Sequence, residues 1–270
     1  MSRPETDTAA TPLVSVITVV KNGERNIRQT IETVLAQDYP AVEHIVIDGG
    51  STDGTVDILR RYDDALACWV SEPDKGIADA MNKGVARARG DYVVFVHADD
   101  YFAEPGALSR VFDLAARCAS PILAFNILFQ SEAGTRVIRP RPYNYWTMFK
   151  NPFPHQGVFC RRELFGIIGP FDTSLRFTMD YDFFLKAYLR GHGASRFDYA
   201  PVVMRDNGIS SSRDWGVVQR RLMEERRVHE KHCDSMLRAM LYRLHWAWYG
   251  PYRRLRSRVA HLPGAGPSAG

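Results

Sequence analysis

Apolar and polar positions follow two rhythms along the first half of the chain. Val14-Ser15-Val16-Ile17-Thr18-Val19-Val20 is nearly continuous, as a strand buried on both faces requires. Ile27, Ile31, Val34 and Leu35 then recur at helical spacing. Residues 43–48 read as a second strand ending in Asp48, and residues 49–55 as a Gly/Ser/Thr/Asp turn. Helix signals run on to Tyr62, residues 67–70 form a weaker strand, and residues 77–89 read as a helix closed by Gly90. Residues 92–96 give the fourth strand. This alternation predicts an α/β fold with a doubly wound parallel sheet, whose right-handed crossovers gather the strand carboxyl ends on one edge. Thr18, Val20, Asp48, Asp99 and Asp100 are therefore expected along a single crevice.

The run Val93-Val94-Phe95-Val96-His97-Ala98-Asp99-Asp100 is the sharpest local signal. Four apolar residues end in two adjacent carboxylates. Two readings stand side by side. The acids hold a divalent cation that in turn holds a phosphate, or they cap the next helix. Neither G-x-G-x-x-G nor G-x-x-x-x-G-K-[ST] occurs, so an ordinary dinucleotide fold and a P-loop are excluded.

The second half is less regular. Residues 121–130 read as a strand, and residues 139–146 as a loop rich in Pro and aromatic side chains. Residues 178–191 read as a helix carrying Asp180 and Asp182 in its first turn, where acids also complement the helix dipole.

Composition narrows the class. The 270 residues are 45% hydrophobic and 24% charged, an ordinary globular balance. Cys68, Cys118, Cys160 and Cys233 are scattered, without the spacing of a zinc site or a disulfide framework, which suits a reducing compartment. No stretch reaches the roughly 18 consecutive apolar residues of a membrane span. The opening residues 1–12 carry acids and no apolar core, so a disordered lead is expected rather than a signal peptide, as is a disordered Gly/Pro/Ser-rich end over 259–270. The expected location is the cytoplasm.

The net charge of +4 is unevenly spread. From Arg213 onward there are 12 Lys/Arg against 5 Asp/Glu, and the part before it is slightly acidic. An acidic core argues against a nucleic-acid role. Met236, Leu237, Met240, Leu241, Leu244 and Trp248 share one helical face, so residues 213–258 read as a basic amphipathic helical tail. It fits an anionic membrane surface at the inner face of the cell membrane, the protein's own core, or a second subunit in a homo-oligomer.

The ordered motifs resemble family 2 glycosyltransferases of GT-A fold. They are Ser15-Val16-Ile17-Thr18, Asp48-Gly-Gly-Ser-Thr-Asp-Gly-Thr55, and Asp74-Lys75-Gly76-Ile77-Ala78-Asp79-Ala80-Met81-Asn82-Lys83-Gly84. His97-Ala98-Asp99-Asp100, His155-Gln156, Gly169-Pro-Phe-Asp172 and Met179-Asp180-Tyr181-Asp182 follow. The resemblance spans about residues 13–212, a donor half over 13–105 and an acceptor half over 106–212. It implies a Rossmann-like, mostly parallel sheet with flanking helices. It also implies inverting transfer of a sugar from a nucleotide diphosphate sugar, UDP- or GDP-/dTDP-linked, to a glycan or lipid-linked hydroxyl in surface polysaccharide or glycolipid synthesis.

The resemblance also assigns roles. Thr18, Val20 and Asp48 face the base, and Lys75, Gly76, Asp79 and Asn82 the ribose and diphosphate. Asp99 holds Mn²⁺ or Mg²⁺ with Ala98 and Asp100 beside it, and Asp180 is the catalytic base. His155, Gln156 and Asp182 are placed on the acceptor side. The chain departs from the family at His97, where the first acid of the metal motif usually stands, and at Met179, where a Glu often precedes the base. Rival readings are a non-catalytic nucleotide-sugar or membrane-associated binding protein, and a sugar-phosphate nucleotidyltransferase.

Overall fold

The structure, a computed structural model, describes residues 11–206 and 214–259. The expected disordered stretches at residues 1–10 and 260–270, and the domain boundary at residue 212, lie outside the described residues. Pro12, expected in the lead, is already fixed, because its carbonyl accepts the Tyr39 hydroxyl at 2.9 Å.

The first half follows the expected alternation: β1 (Val14–Val20), α1 (Ile27–Leu35), β2 (Val42–Asp48), α2 (Thr55–Arg61), β3 (Cys68–Ser71), α3 (Ile77–Arg87) and β4 (Tyr92–Phe95). These four strands are parallel, in the order β3-β2-β1-β4. α3 stops two residues earlier than expected, and the amide of Gly90 is instead held by Ser15 Oγ and Glu43. Gly84 lets α3 lie against β1, since a Cβ there would collide with Ile17.

The second half comprises β5 (Tyr101–Phe102), α4 (Ala107–Ala115), β6 (Ile122–Ser131), β7 (Gly134–Ile138), β8 (Val158–Arg161), α5 (Glu163–Ile168), α6 (Met179–Leu189), β9 (Ala194–Arg205), α7 (Trp215–Lys231) and α8 (Met236–Val259). The sheet continues from β4 as β8-β6-β9-β5, with β7 on β6. β8 runs against both β4 and β6, whereas β6 and β9 are parallel. The antiparallel insertion of β8 is what the alternation in the first half could not reveal.

The C-terminal helices are built into this unit. Glu224 of α7 is buried and accepts the amides of Arg176 at 3.0 Å and Phe177 at 2.7 Å, just ahead of α6. Lys231 and His232 close on Asp182 from the same side. Between them, Trp246 Nε1 of α8 donates to His229 Nδ1 at 2.9 Å, and His229 Nε2 lies 2.8 Å from the Tyr181 hydroxyl. An indole is only a donor, so His229 carries its proton on Nε2 and donates it to Tyr181. Glu224→Ala leaves two amides without their acceptor and is expected to lower stability by about 3 kcal/mol. A shift of the urea midpoint at constant slope measures this, and an unchanged midpoint would show that the clamp is dispensable.

Candidate active site

Strand register explains how distant residues meet. Val20 is level with Asp48 across β1 and β2. Beyond the last β1–β4 pair, Val96 N and Ala98 N donate to Ile17 O and Val19 O, so Ala98 reaches the same level. β2 and β4 flank β1, so Asp48 and Ala98 lie about 10 Å apart along this edge. β8 enters from the opposite direction. Its pairs Tyr92↔Arg161 and Val93↔Cys160, continued upward, bring the short turn His155–Gly157 opposite His97.

At that junction His97 Nε2 and His155 Nε2 lie 3.0 Å apart. His155 Nδ1 faces Asp180 Oδ2 at 3.6 Å, and Asn151 Nδ2 donates to the same oxygen at 2.8 Å. With His155 protonated on Nδ1 toward the carboxylate, its Nε2 accepts the proton of His97 Nε2. That leaves the buried His97 Nδ1 as an unpartnered acceptor. Burial, and then the neighbouring His155, hold the His97 imidazole well below its usual range, so it stays neutral. Phe95, Phe171, Phe183 and Phe184 line an apolar floor beneath His155 and Asp180.

Asp180 and Asp182 are separated as their spacing on one helix demands. Asp182 does not reach the acceptor side. It is wholly buried beneath α7, bonded to His232 at 2.8 Å and paired with Lys231 and Lys186. Burial alone would raise its pKa, but the His232 bond and the two lysines bring it below the ordinary carboxylate range.

Asp99 and Asp100 do not cap a helix, because β5 follows them and α4 begins behind Gly106. The Asp99 carboxylate is half-buried and accepts from Asn26 Nδ2 at 3.1 Å, while Arg205 donates to its carbonyl at 2.8 Å. Asp100 is buried beside Gln156, and burial pushes its carboxyl up to about 7. Thr30 donates to the Ala98 and Asp100 carbonyls and fixes the turn.

Among the described residues no cluster of three His, Cys, Asp or Glu could hold a metal alone. A single accessible carboxylate, Asp99, suits Mg²⁺ or Mn²⁺ held largely by a diphosphate and water, so the residues fit a metal shared with substrate.

Of the remaining expected ligands, all but Lys75 and Gly76 have side chains engaged by the protein itself. Thr18 donates to Val96 O at 2.7 Å and accepts from His44 Nε2 at 2.9 Å, inside the sheet. Val20 is buried against α1. Asp48 is wholly buried, its oxygens taken by Ser51 and by Ser71 Oγ at 2.6 Å, so it shapes the turn. A carboxylate does lie over this edge, that of Asp74, which covers Gly49. Asp79 accepts the amide of Lys75 at 3.1 Å and pairs with Lys83, leaving the Lys75 side chain exposed at the start of α3. Gly76 adopts φ +114°, which favours glycine. Asn82 clamps the backbone of Phe171 through two bonds of 2.9 Å, so its side chain is committed to the loop before α6. Asn26, Asn151 and Arg205 are site neighbours outside the quoted motifs, and Asp74 opens one of them without a role assigned to it. All of them depend on contacts between segments distant in sequence.

Comparison with known proteins agrees with this architecture. The profile of Glycosyl transferase family 2 matches residues 15–176. A Mycobacterium tuberculosis protein described as an uncharacterized glycosyltransferase is 35% identical over 182 residues, covering 66% of this chain and 70% of that one. A PGL/p-HBAD biosynthesis glycosyltransferase of Mycobacterium bovis is 29% identical over 203 residues, 72% of this chain and 76% of the relative. Among solved structures, the mannosyltransferase PcManGT from Pyrobaculum calidifontis, in complex with GDP-Man and Mn²⁺, superposes with a TM-score of 0.67. Identity is 20%, over 96% of this chain and 77% of that one. S. aureus TarS 1–349 in complex with UDP-GlcNAc gives a TM-score of 0.61 at 23% identity, over 73% and 59% of the two chains. With four parallel strands in its first half, an antiparallel β8 and the match to residues 15–176, this chain belongs to glycosyl transferase family 2.

Proposed function

We propose that this glycosyltransferase transfers a sugar with inversion from a nucleoside diphosphate sugar to a hydroxyl of a glycan or lipid-linked acceptor. The observation that carries the reading is the Asp180 carboxylate, bonded to Asn151 at the start of α6 and facing His155, which precedes β8, the neighbour of the β4 strand that leads to Asp99. A sugar hydroxyl needs its proton removed as it attacks, and Asp180 accepts that proton at Oδ1 or Oδ2. Attack on the face opposite the leaving diphosphate inverts the anomeric carbon. Asp99 would hold a divalent cation, which when bound neutralises charge on the departing diphosphate. Lys75 adds a mobile cation at the α3 start. Asp74, rather than the enclosed Asp48, offers the acceptor for a base N–H. The relative named for PGL/p-HBAD biosynthesis supports a role in building a surface glycolipid or polysaccharide, and the neighbours bound to UDP-GlcNAc and GDP-Man support a nucleotide-sugar donor.

A thermal-shift panel of UDP-, GDP- and dTDP-sugars with Mn²⁺ tests the donor class. One donor at one hundred times its Kd is expected to add about 2.7 kcal/mol, a rise of roughly 5–10 °C. Chelation should remove most of that shift, and Asp99→Asn should do the same. A donor shift indifferent to metal and to Asp99 would discard the metal role. A shift without any transfer or hydrolysis would favour a binding protein.

A further inference from the structure

The two faces of α8 are both apolar. Tyr242, Trp246 and Tyr249 point inward, toward His229, Phe149 and Lys150. The opposite face carries Leu237, Met240, Leu244, Trp248 and Leu255, which are 64%, 51%, 60%, 57% and 63% exposed. At 100° per residue these five fall within a sector of about 80°, a stripe running along more than four turns. Met236, 92% exposed, and Tyr252, 43% exposed, border it. Seven of the fourteen large apolar side chains exposed among the described residues therefore sit on this one helix. Single exposed apolar residues need no explanation, but a continuous stripe of them marks a surface that something covers.

The flanks say what covers it. Arg243 and Arg254 stand on one side of the stripe and Arg256 on the other, all exposed. Between residues 236 and 259 there are six arginines and no acidic residue. A second copy docked through this stripe would set arginine rows against arginine rows with no carboxylate on the helix to answer them. A lipid surface has no such conflict. Its acyl boundary accepts the stripe, arginines on either side extend to the headgroups, and anionic headgroups supply the countercharge. No helix among the described residues is long and apolar enough to cross a membrane, so the helix would lie in the interface plane.

We infer that α8 docks this protein in-plane on an anionic lipid bilayer. The exposed pair Tyr145 and Trp146 belongs to the same contact region, because Trp146 packs on Phe149, which packs on His245 of α8. Such amphipathic rings favour the headgroup level. The same helix reaches the site through Trp246, His229 and Tyr181, the residue next to Asp180. Docking would thus hold the acceptor side of the site close to the lipid surface, which fits, and rests on, the lipid-linked acceptor proposed above.

The test is flotation of the full chain with vesicles of phosphatidylcholine alone and with 30% phosphatidylglycerol, at about 50 and 500 mM salt, a range that spans strong and weak screening. Binding is expected with the anionic vesicles at low salt, at least tenfold weaker with neutral ones, and weakened by salt. The triple variant Leu237→Gln, Leu244→Gln, Leu255→Gln should lose at least tenfold in binding while keeping its melting temperature and its donor-dependent thermal shift. Arg243→Gln with Arg256→Gln should lose the preference for anionic lipid. Wild-type protein that ignores anionic vesicles would overturn the inference. So would a concentration-dependent dimer in sedimentation that the triple variant dissolves, since the stripe would then be a subunit interface. A protein that binds vesicles yet transfers sugar only to soluble glycans would keep the docking surface and reject the lipid-linked acceptor.

Discussion

Asp180→Asn is expected to lower sugar transfer by ~10²–10⁴-fold, the range set by loss of a positioned general base. The substitution keeps the shape of the side chain and removes only its ability to take a proton. Donor affinity should be unchanged, because no donor ligand is touched, so the loss belongs in kcat. Single-turnover transfer and donor thermal shift, measured on the same preparation, separate the two. Asp182→Asn provides the contrast. Its carboxylate answers Lys231, His232 and Lys186 under α7, so its loss should appear as a lower melting temperature with turnover retained in the folded fraction. If Asp180→Asn kept more than about a tenth of the wild-type rate, proton removal would have to be reassigned.

Stability should fall steeply in mild acid. Burial depresses His44 and His229 from 6.5 to about 3, so both remain neutral in the folded protein. The unfolded chain takes up these protons below pH 6.5, and the folded one does so only near 3. The stability is therefore full above 6.5 and is lost as pH falls toward 3, by about 1.4 kcal/mol per pH unit for each imidazole. His97 and His245 act in the same direction, burial bringing His245 down to about 4. Asp100 acts in the other, since its raised pKa of about 7 favours the folded state as pH falls from 7 toward 3.8. Four imidazoles against one carboxyl leave a net loss of roughly 3–4 kcal/mol between pH 6 and 5. Urea titrations at pH 7, 6 and 5 measure it, and His229→Gln should flatten the slope by one proton. A midpoint constant over that range would contradict the neutral buried imidazoles.

The parallel half was legible because each strand is a continuous apolar run and each helix has its own period. The burial of Asp182 was not legible, because Lys231 and His232, which engage it, come from about fifty residues further along the chain. The pairing of His97 with His155 was not, because it joins residues 58 apart through an antiparallel strand that local pattern does not announce. Asn82, to which the resemblance gives a place at the ribose and diphosphate, bonds the Phe171 backbone, a contact across 89 residues that the local pattern does not announce. Asp48 was closed by Ser71, a hydroxyl delivered by β3, and no feature of residues 48–55 signals that contact.

The family profile ends at residue 176, the residue whose amide Glu224 receives. A chimera cut between β9 and α7 would part the segment that leads into α6 from the carboxylate that receives its amides. The shortest exchangeable module that contains α6 therefore extends through α7. Sequence divergence is expected to alter α6 and α7 together, with compensating changes at positions 176–182 and 224–232.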